Sequence, residues 1–186
     1  MVSSQGGTPR LLFPGEAGPE TDPNWSPDGR KIAFSTSREA GDDPKSVVRV
    51  LELDSNHVIT LPGSVGMFSP QWSPDGHSIL TLNPKSIGLN IFDLKTQQWS
   101  MPYKGGGGFP RWSRDSRSIY FLGLPHNPGI YRIPVTGGDA EHLTDLKGVH
   151  YTGYYGVWFG LDPTDAPLLL RDIGTSDIYA LTLEQK

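Results

Sequence analysis

An all-β fold of repeated four-stranded antiparallel units is predicted by three features of this sequence. Glycine and proline punctuate it heavily, with 23 glycines and 17 prolines among 186 residues, well above common usage. Long helices do not survive that density. A five-residue motif, Trp-Ser-Pro-Asp-Gly, recurs along the chain. Each copy is followed by short segments in which apolar and polar residues alternate with the period of a strand.

The motif opens each unit. Trp25-Ser26-Pro27-Asp28-Gly29 starts the first and Trp72-Ser73-Pro74-Asp75-Gly76 the second. Trp112-Ser113-Arg114-Asp115-Ser116 is a degraded third copy, and Trp158 with Asp162 marks a distant fourth. The local chemistry is that of a tight hairpin. Proline presets φ for the first central position, aspartate suits the second, and glycine takes the positive φ that closes the turn. The tryptophans Trp25, Trp72, Trp112 and Trp158 are expected to be apolar wedges between neighbouring sheets.

Two alternating segments follow each motif: Lys31 to Phe34 then Val48 to Leu53, Ser78 to Leu82 then Leu89 to Leu94, and Ser118 to Leu122 then Gly129 to Ile133. The last repeat offers Leu168 to Leu170 and Asp177 to Leu183. A four-stranded unit repeating every roughly 40–50 residues is the pattern of a β-propeller blade. Such a small sheet is apolar on both faces and needs a neighbour on each side.

One domain is expected over residues 1–186. Blade 1 covers about 21–61, blade 2 about 68–101 and blade 3 about 109–144. Blade 4 covers about 155–183 plus an N-terminal strand at about 9–13. The N-terminal strand is inferred because Val2 to Phe13 aligns with Ile133 to Thr144, the outer part of a unit. Three complete blades, a last repeat of three strands and that one strand make four blades. The outcome is a ring closed by the N-terminal strand, or a partial propeller cut from a larger one. An open arc exposes an apolar blade face and would self-associate.

The run from Trp25 to Phe34, Trp-Ser-Pro-Asp-Gly-Arg-Lys-Ile-Ala-Phe, resembles the TolB-type β-propeller repeat, which is related to WD repeats. The run from Leu169 to Leu181 is similar to the end of propellers in bacterial multidomain sensors. The resemblance implies a non-catalytic scaffold or sensor module that binds a protein or small ligand, and a periplasmic or extracytoplasmic place if the parent is TolB-like. It also leaves two alternatives: a substrate-gating propeller of a serine peptidase whose catalytic domain is absent, or a propeller lyase or glycosidase. Winged-helix or kinase motifs of the multidomain sensors have no counterpart in these residues.

Other chemistry is thinly supported. The formal net charge of −4 gives no electrostatic footprint for nucleic acid. No cationic-then-apolar leader opens the sequence, and no apolar run reaches membrane-spanning length. Gly105 to Gly108 lacks the Gly-Lys-Ser/Thr of a phosphate loop. Cysteine is absent. His57, His77, His126, His142 and His150 show no helical metal-site spacing. Asp42-Asp43 and the Asp139/Glu141 pair lack the dense ligand series of a calcium loop, so no metal or cofactor is expected. Ser64 lacks a nucleophile elbow. No catalytic residue is expected, and Asp28, Asp75 and Asp115 are read as turn acceptors. The long inter-strand loops, from Thr36 to Ser46 through to Asp145 to Tyr155, are the expected recognition face. Arg38, His150, Tyr151 and Tyr154 are its expected contact residues.

Overall fold

The computed structural model describes residues 1–13, 20–36, 45–83, 88–123, 128–151 and 158–174. These residues form strands and no helix. Blade 1 contains β1 (Thr21–Trp25), β2 (Lys31–Ser35), β3 (Val48–Glu52) and β4 (His57–Thr60). Blade 2 contains β5 (Phe68–Trp72), β6 (Ser78–Asn83), β7 (Gly88–Asp93) and β8 (Gln98–Lys104). Blade 3 contains β9 (Gly107–Trp112), β10 (Ser118–Gly123), β11 (Gly129–Pro134) and β12 (Glu141–Asp145). Each is an antiparallel meander in sequence order. A fourth repeat shows a two-stranded sheet of β13 (Phe159–Leu161) and β14 (Pro167–Leu169).

The chain divides into two compact units, Met1–Gly105 and Gly106–Lys186. In the first, pairing puts Trp72, Ile79, Phe92 and Trp99 side by side on one face of blade 2. That face packs on Ala33, Val48, Val50 and Leu61 of blade 1, with Met67 filling the join. In the second unit, Tyr120, Leu122 and Ile130 of blade 3 bury Phe159 of the fourth repeat, flanked by Leu161 and Leu169. Both contacts are what period-2 alternation dictates for a sheet that is apolar on two sides.

The first strand of every full blade carries the same irregularity. Asp22, Ser69 and Phe109 each adopt φ of 52°, and each directly precedes a proline. The strand register shifts at each of these sites. Residues before proline normally sit in the extended region, so a left-handed residue there marks a bulge that tertiary contacts impose. In the first unit two polar contacts join the bulges of neighbouring blades. Ser69 Oγ donates to Asp22 Oδ2 at 3.0 Å, and the Trp72 N–H donates to Asn24 Oδ1 at 2.7 Å.

Three expectations need correction. First, residues 9–13 are not a strand. The Met1 ammonium and the Arg10 N–H each bond the other residue's carbonyl, Gly6 and Gly7 take positive φ, and Pro9 has no N–H to offer a ladder. The segment therefore satisfies its own backbone, and Phe13 rests on Phe34 at 5.1 Å. The partial-propeller form of the expectation fits the sheets described; a sheet closed by the N-terminal strand is not among them.

Second, Trp25 is no wedge. Trp72 is 8% exposed because blade 1 lies against it, whereas Trp25 is 49% exposed. Among the described residues no sheet of its own unit precedes blade 1. Trp25→Ala is therefore expected to destabilise by only about 1–2 kcal/mol in urea unfolding, in proportion to the area it buries.

Third, Trp158 is not the motif tryptophan of the fourth copy. It is 50% exposed and lies before β13. The motif position belongs to Leu161, and the turn is Asp162-Pro163-Thr164-Asp165, as its hydrogen bonds show.

Candidate functional site

The hairpin turns set the geometry of the site. In blade 1 the Gly29 N–H donates to Ser26 O at 2.9 Å, and the Ser26 N–H to Lys31 O at 2.9 Å. Ser26 Oγ accepts from the Lys31 N–H at 2.9 Å and donates to Asp28 Oδ1. That same carboxylate oxygen accepts the Arg30 N–H at 3.0 Å. The pattern repeats with Ser73, Asp75, His77 and Ser78, and with Ser113, Asp115, Arg117 and Ser118. Gly29 and Gly76 close their turns at φ of 69° and 74°. Ser116 at 60° and Asp165 at 65° occupy the same position without glycine's freedom.

The fourth turn reverses the chemistry. Here a carboxylate holds the serine position, and Asp162 Oδ1 accepts from the Thr164 N–H, the Thr164 hydroxyl and the Ala166 N–H. The Asp165 N–H still donates to Asp162 O at 3.0 Å. Asp165 also staples the turn to blade 3, since the Arg114 N–H donates to its Oδ1 at 3.0 Å and Arg114 Nη1 donates to Pro163 O at 2.9 Å.

These bonds hold the turn carboxyls below the usual aspartate value of 3.8. For Asp28 and Asp115 the first cause is the serine hydroxyl donor, followed by a backbone N–H. For Asp162 it is the Thr164 hydroxyl. Burial pushes Asp75 upward, but the donors from Ser73 and the His77 N–H outweigh it. A carboxyl depressed in the folded state contributes stability that is present above its unfolded value and lost as pH falls through the folded one. Stability in urea is thus expected to hold above about pH 5 and to fall as the pH drops below about 4, through the lowered folded-state values. Ser26→Ala should move the Asp28 titration up toward 3.8, read by carboxyl NMR. Asp28 titrating at or above 3.8 in the unmutated chain would contradict the turn assignment.

Between blades 1 and 2 these turns border a cleft of about 420 Å³. Val50, Ile59, Leu61, Pro62, Trp72, Phe92 and Leu94 give it apolar walls, and Asp28, Lys31, Asp75, His77 and Gln97 stand around them. Lys31 Nζ is held by Glu52 Oε1 at 2.7 Å. Phe92 and Trp99 meet at 4.9 Å between ring centres, and Trp99 Nε1 donates to Pro62 O at 2.7 Å. Trp72 Nε1 is enclosed and has no acceptor among the described residues. The size and the apolar-to-polar balance are those of a small-ligand or side-chain pocket.

Of the expected contact residues, His150 and Tyr151 are not among those that line the cleft. Arg38 and Tyr154 lie outside the described residues. His150 is exposed, and its carbonyl accepts the Asp172 N–H at 2.8 Å. Tyr151 is half-buried, with its hydroxyl enclosed and unpaired among the described residues. Ser64 is structural: its Oγ donates to Leu61 O at 2.7 Å and accepts the Val48 N–H at 3.1 Å. Among the described residues no three His, Asp or Glu side chains gather to hold a metal ion, and no helix is long and apolar enough to cross a membrane. Sequence reading missed the cleft because its walls look like ordinary strand core. Ile59 was the available signal, a large aliphatic on a blade's outermost strand and 38% exposed.

No family model matches the chain. An uncharacterized peptidase, YuxL of Bacillus subtilis, is 34% identical over 136 residues, which is 70% of this chain and 19% of that protein. The Tol-Pal system protein TolB of Alcanivorax borkumensis is 38% identical over 66 residues, 35% of this chain and 15% of that protein. The chain thus spans about a fifth or less of these relatives' length. The crystal structure of TolB from Acinetobacter baumannii superposes with a TM-score of 0.64 over 87% of this chain and 39% of that one, at 19% identity. That likeness is one of fold: the blades described here are arranged as β-propeller blades like those of TolB.

Proposed function

We propose that the chain is a recognition module that takes an apolar group of a protein or small ligand into the cleft between blades 1 and 2. One observation carries this reading: the acids beside the cleft are already committed as turn acceptors. Asp28 and Asp75 hold their own hairpins together and are kept ionised by those bonds. A general acid or base needs a value near the working pH, and these two are shifted away from it. What remains is a preformed apolar cavity with a few fixed polar groups, the composition of a binding pocket. An extracytoplasmic setting follows if the parent is TolB-like.

A screen of apolar small molecules and short peptides tests the reading, with the indole N–H signals of the chain followed by NMR. Ligands that shift Trp72 and Trp99 are expected to bind at least about tenfold more weakly to Ile59→Glu, which puts a charge in the apolar wall. Turnover of chromogenic peptide or oligosaccharide substrates by the chain would overturn it, as would a screen in which neither indole responds.

A second reading has its own support. The identity to a peptidase over 70% of the chain favours a propeller that presents or filters substrate for a hydrolase domain. The same cleft then selects what reaches that domain.

A further inference from the structure

Among the described residues, Arg111 is a half-buried cation without an anion. It sits on β9 directly opposite Tyr120 of β10. Tyr120 lies opposite Arg132 of β11, and Arg132 opposite Glu141 of β12. Side chains in such a row share one sheet face, here the face on which Phe159 and Leu161 of the fourth repeat pack. The two arginines of the row differ. Arg132 donates through Nε and Nη2 to Glu141 Oε2. Arg111 donates from Nη1 to the adjacent Pro110 O at 2.9 Å and meets no carboxylate among the described residues. Burial alone acts on its titration, pulling it down from the usual arginine value. A guanidinium carries several N–H donors in a planar fork, and drawing its charge out of water without a counter-charge is costly.

A second donor belongs to the same place. Asn24, Gln71 and Arg111 each precede the motif position of their blade. From there Asn24 Oδ1 reaches the next blade and accepts the Trp72 N–H at 2.7 Å. In the fourth repeat Leu161 holds the motif position, and β13 touches β9. The Asp162 N–H and the Trp158 carbonyl bond toward β14. By the alternation of an antiparallel strand, the Leu161 N–H then points out of the opposite edge of β13, where no strand is paired among the described residues. It has no acceptor among them, and an arginine, which only donates, cannot act as Asn24 does. The first join holds a donor and an acceptor; this one holds two donors.

We propose that Arg111 and the Leu161 N–H form a seat for the carboxylate of a ligand. One oxygen accepts from the guanidinium fork and the other from the Leu161 N–H. Arginine–carboxylate bonds are charge-assisted and directional, so the seat selects this group over a neutral amide. It does not involve the cleft between blades 1 and 2 and does not depend on the reading of that cleft.

The test uses the full chain, with the Leu161 amide and the Arg111 Nε–H followed by NMR. Sodium acetate is titrated against sodium chloride at matched ionic strength, and capped Leu-Glu-Leu against capped Leu-Gln-Leu. Acetate and the glutamate peptide are expected to shift both signals to saturation; chloride and the glutamine peptide should leave them in place. Tighter binding of Leu-Glu-Leu than of acetate identifies a polypeptide as the source of the carboxylate, and equal binding a small molecule. Arg111→Gln should weaken acetate at least about tenfold. Arg111→Asn should weaken it as much, while its urea midpoint holds or rises, because asparagine restores an acceptor for the Leu161 N–H. An acetate titration without saturation overturns the proposal, as does a response that survives Arg111→Gln. A fall in the urea midpoint of Arg111→Asn would make Arg111 a residue of the fold and overturns it as well.

Discussion

Trp72→Ala is expected to destabilise the chain by about 3–5 kcal/mol, the range for truncating a large buried aromatic. The urea midpoint should fall accordingly. Trp72 is the side chain that joins two sheets: it packs with Ile79 and Phe92 from its own blade and with Ala33, Val48 and Val50 from blade 1. Two effects oppose each other. Removing the indole leaves a large void, but it also removes an unpaired donor, whose penalty is about 1–3 kcal/mol. The cavity wins because the blade backbones are fixed by their ladders and cannot collapse onto the gap. Trp72→Phe separates the two: it keeps most of the ring volume and loses the donor, so its loss should be well under half that of alanine. A loss below about 1 kcal/mol for Trp72→Ala would mean that the join between blades 1 and 2 does not depend on it.

Gly88→Ala is the second large effect, expected at about 1–3 kcal/mol. Gly88 starts β7 opposite Lys104 in β8. An added Cβ would stand 2.6 Å from the Tyr103 carbonyl oxygen and 3.2 Å from Met101 Sδ. The methionine can swing aside, but the carbonyl belongs to the paired strand and cannot. Relief requires β7 and β8 to separate at that end, next to the buried Leu89. Thermal unfolding is a sufficient readout. A wild-type melting temperature would show that the strands part there at little cost. Gly29→Ala bears on a different physics, since no atom lies within 4 Å of its added Cβ and the penalty is its φ of 69° alone.

Much of this architecture is legible from residues alone. Trp72 to Asn83 reads as turn then strand because Pro74 and Gly76 fix the reversal and a short apolar segment, Ile79, Leu80 and Leu82, follows it. The serine-to-aspartate bond in each of the first three turns follows from residue types two positions apart. What the letters did not disclose depends on neighbours in space. Trp25 and Trp72 open the same five-residue motif, yet one is half exposed and the other buried, because among the described residues only Trp72 has a sheet in front of it within its unit. The N-terminal segment aligns with an outer strand but bonds to itself through Met1 and Arg10. The cleft was hidden for the same reason: Val50, Leu61 and Phe92 have the signature of core whether the space beside them is filled or empty.

The fourth turn carries a lesson about how such modules diverge. Asp162 and Thr164 exchange the duties that Ser26 and Asp28 perform, and Asp165 reaches the left-handed conformation where Gly29 does. The hairpin is therefore defined by a polarity circuit with two equivalent wirings, not by a word in the amino-acid alphabet. A search scored on donor and acceptor capacity at alternate turn positions would recover all four copies in this chain, where one keyed to tryptophan loses the last.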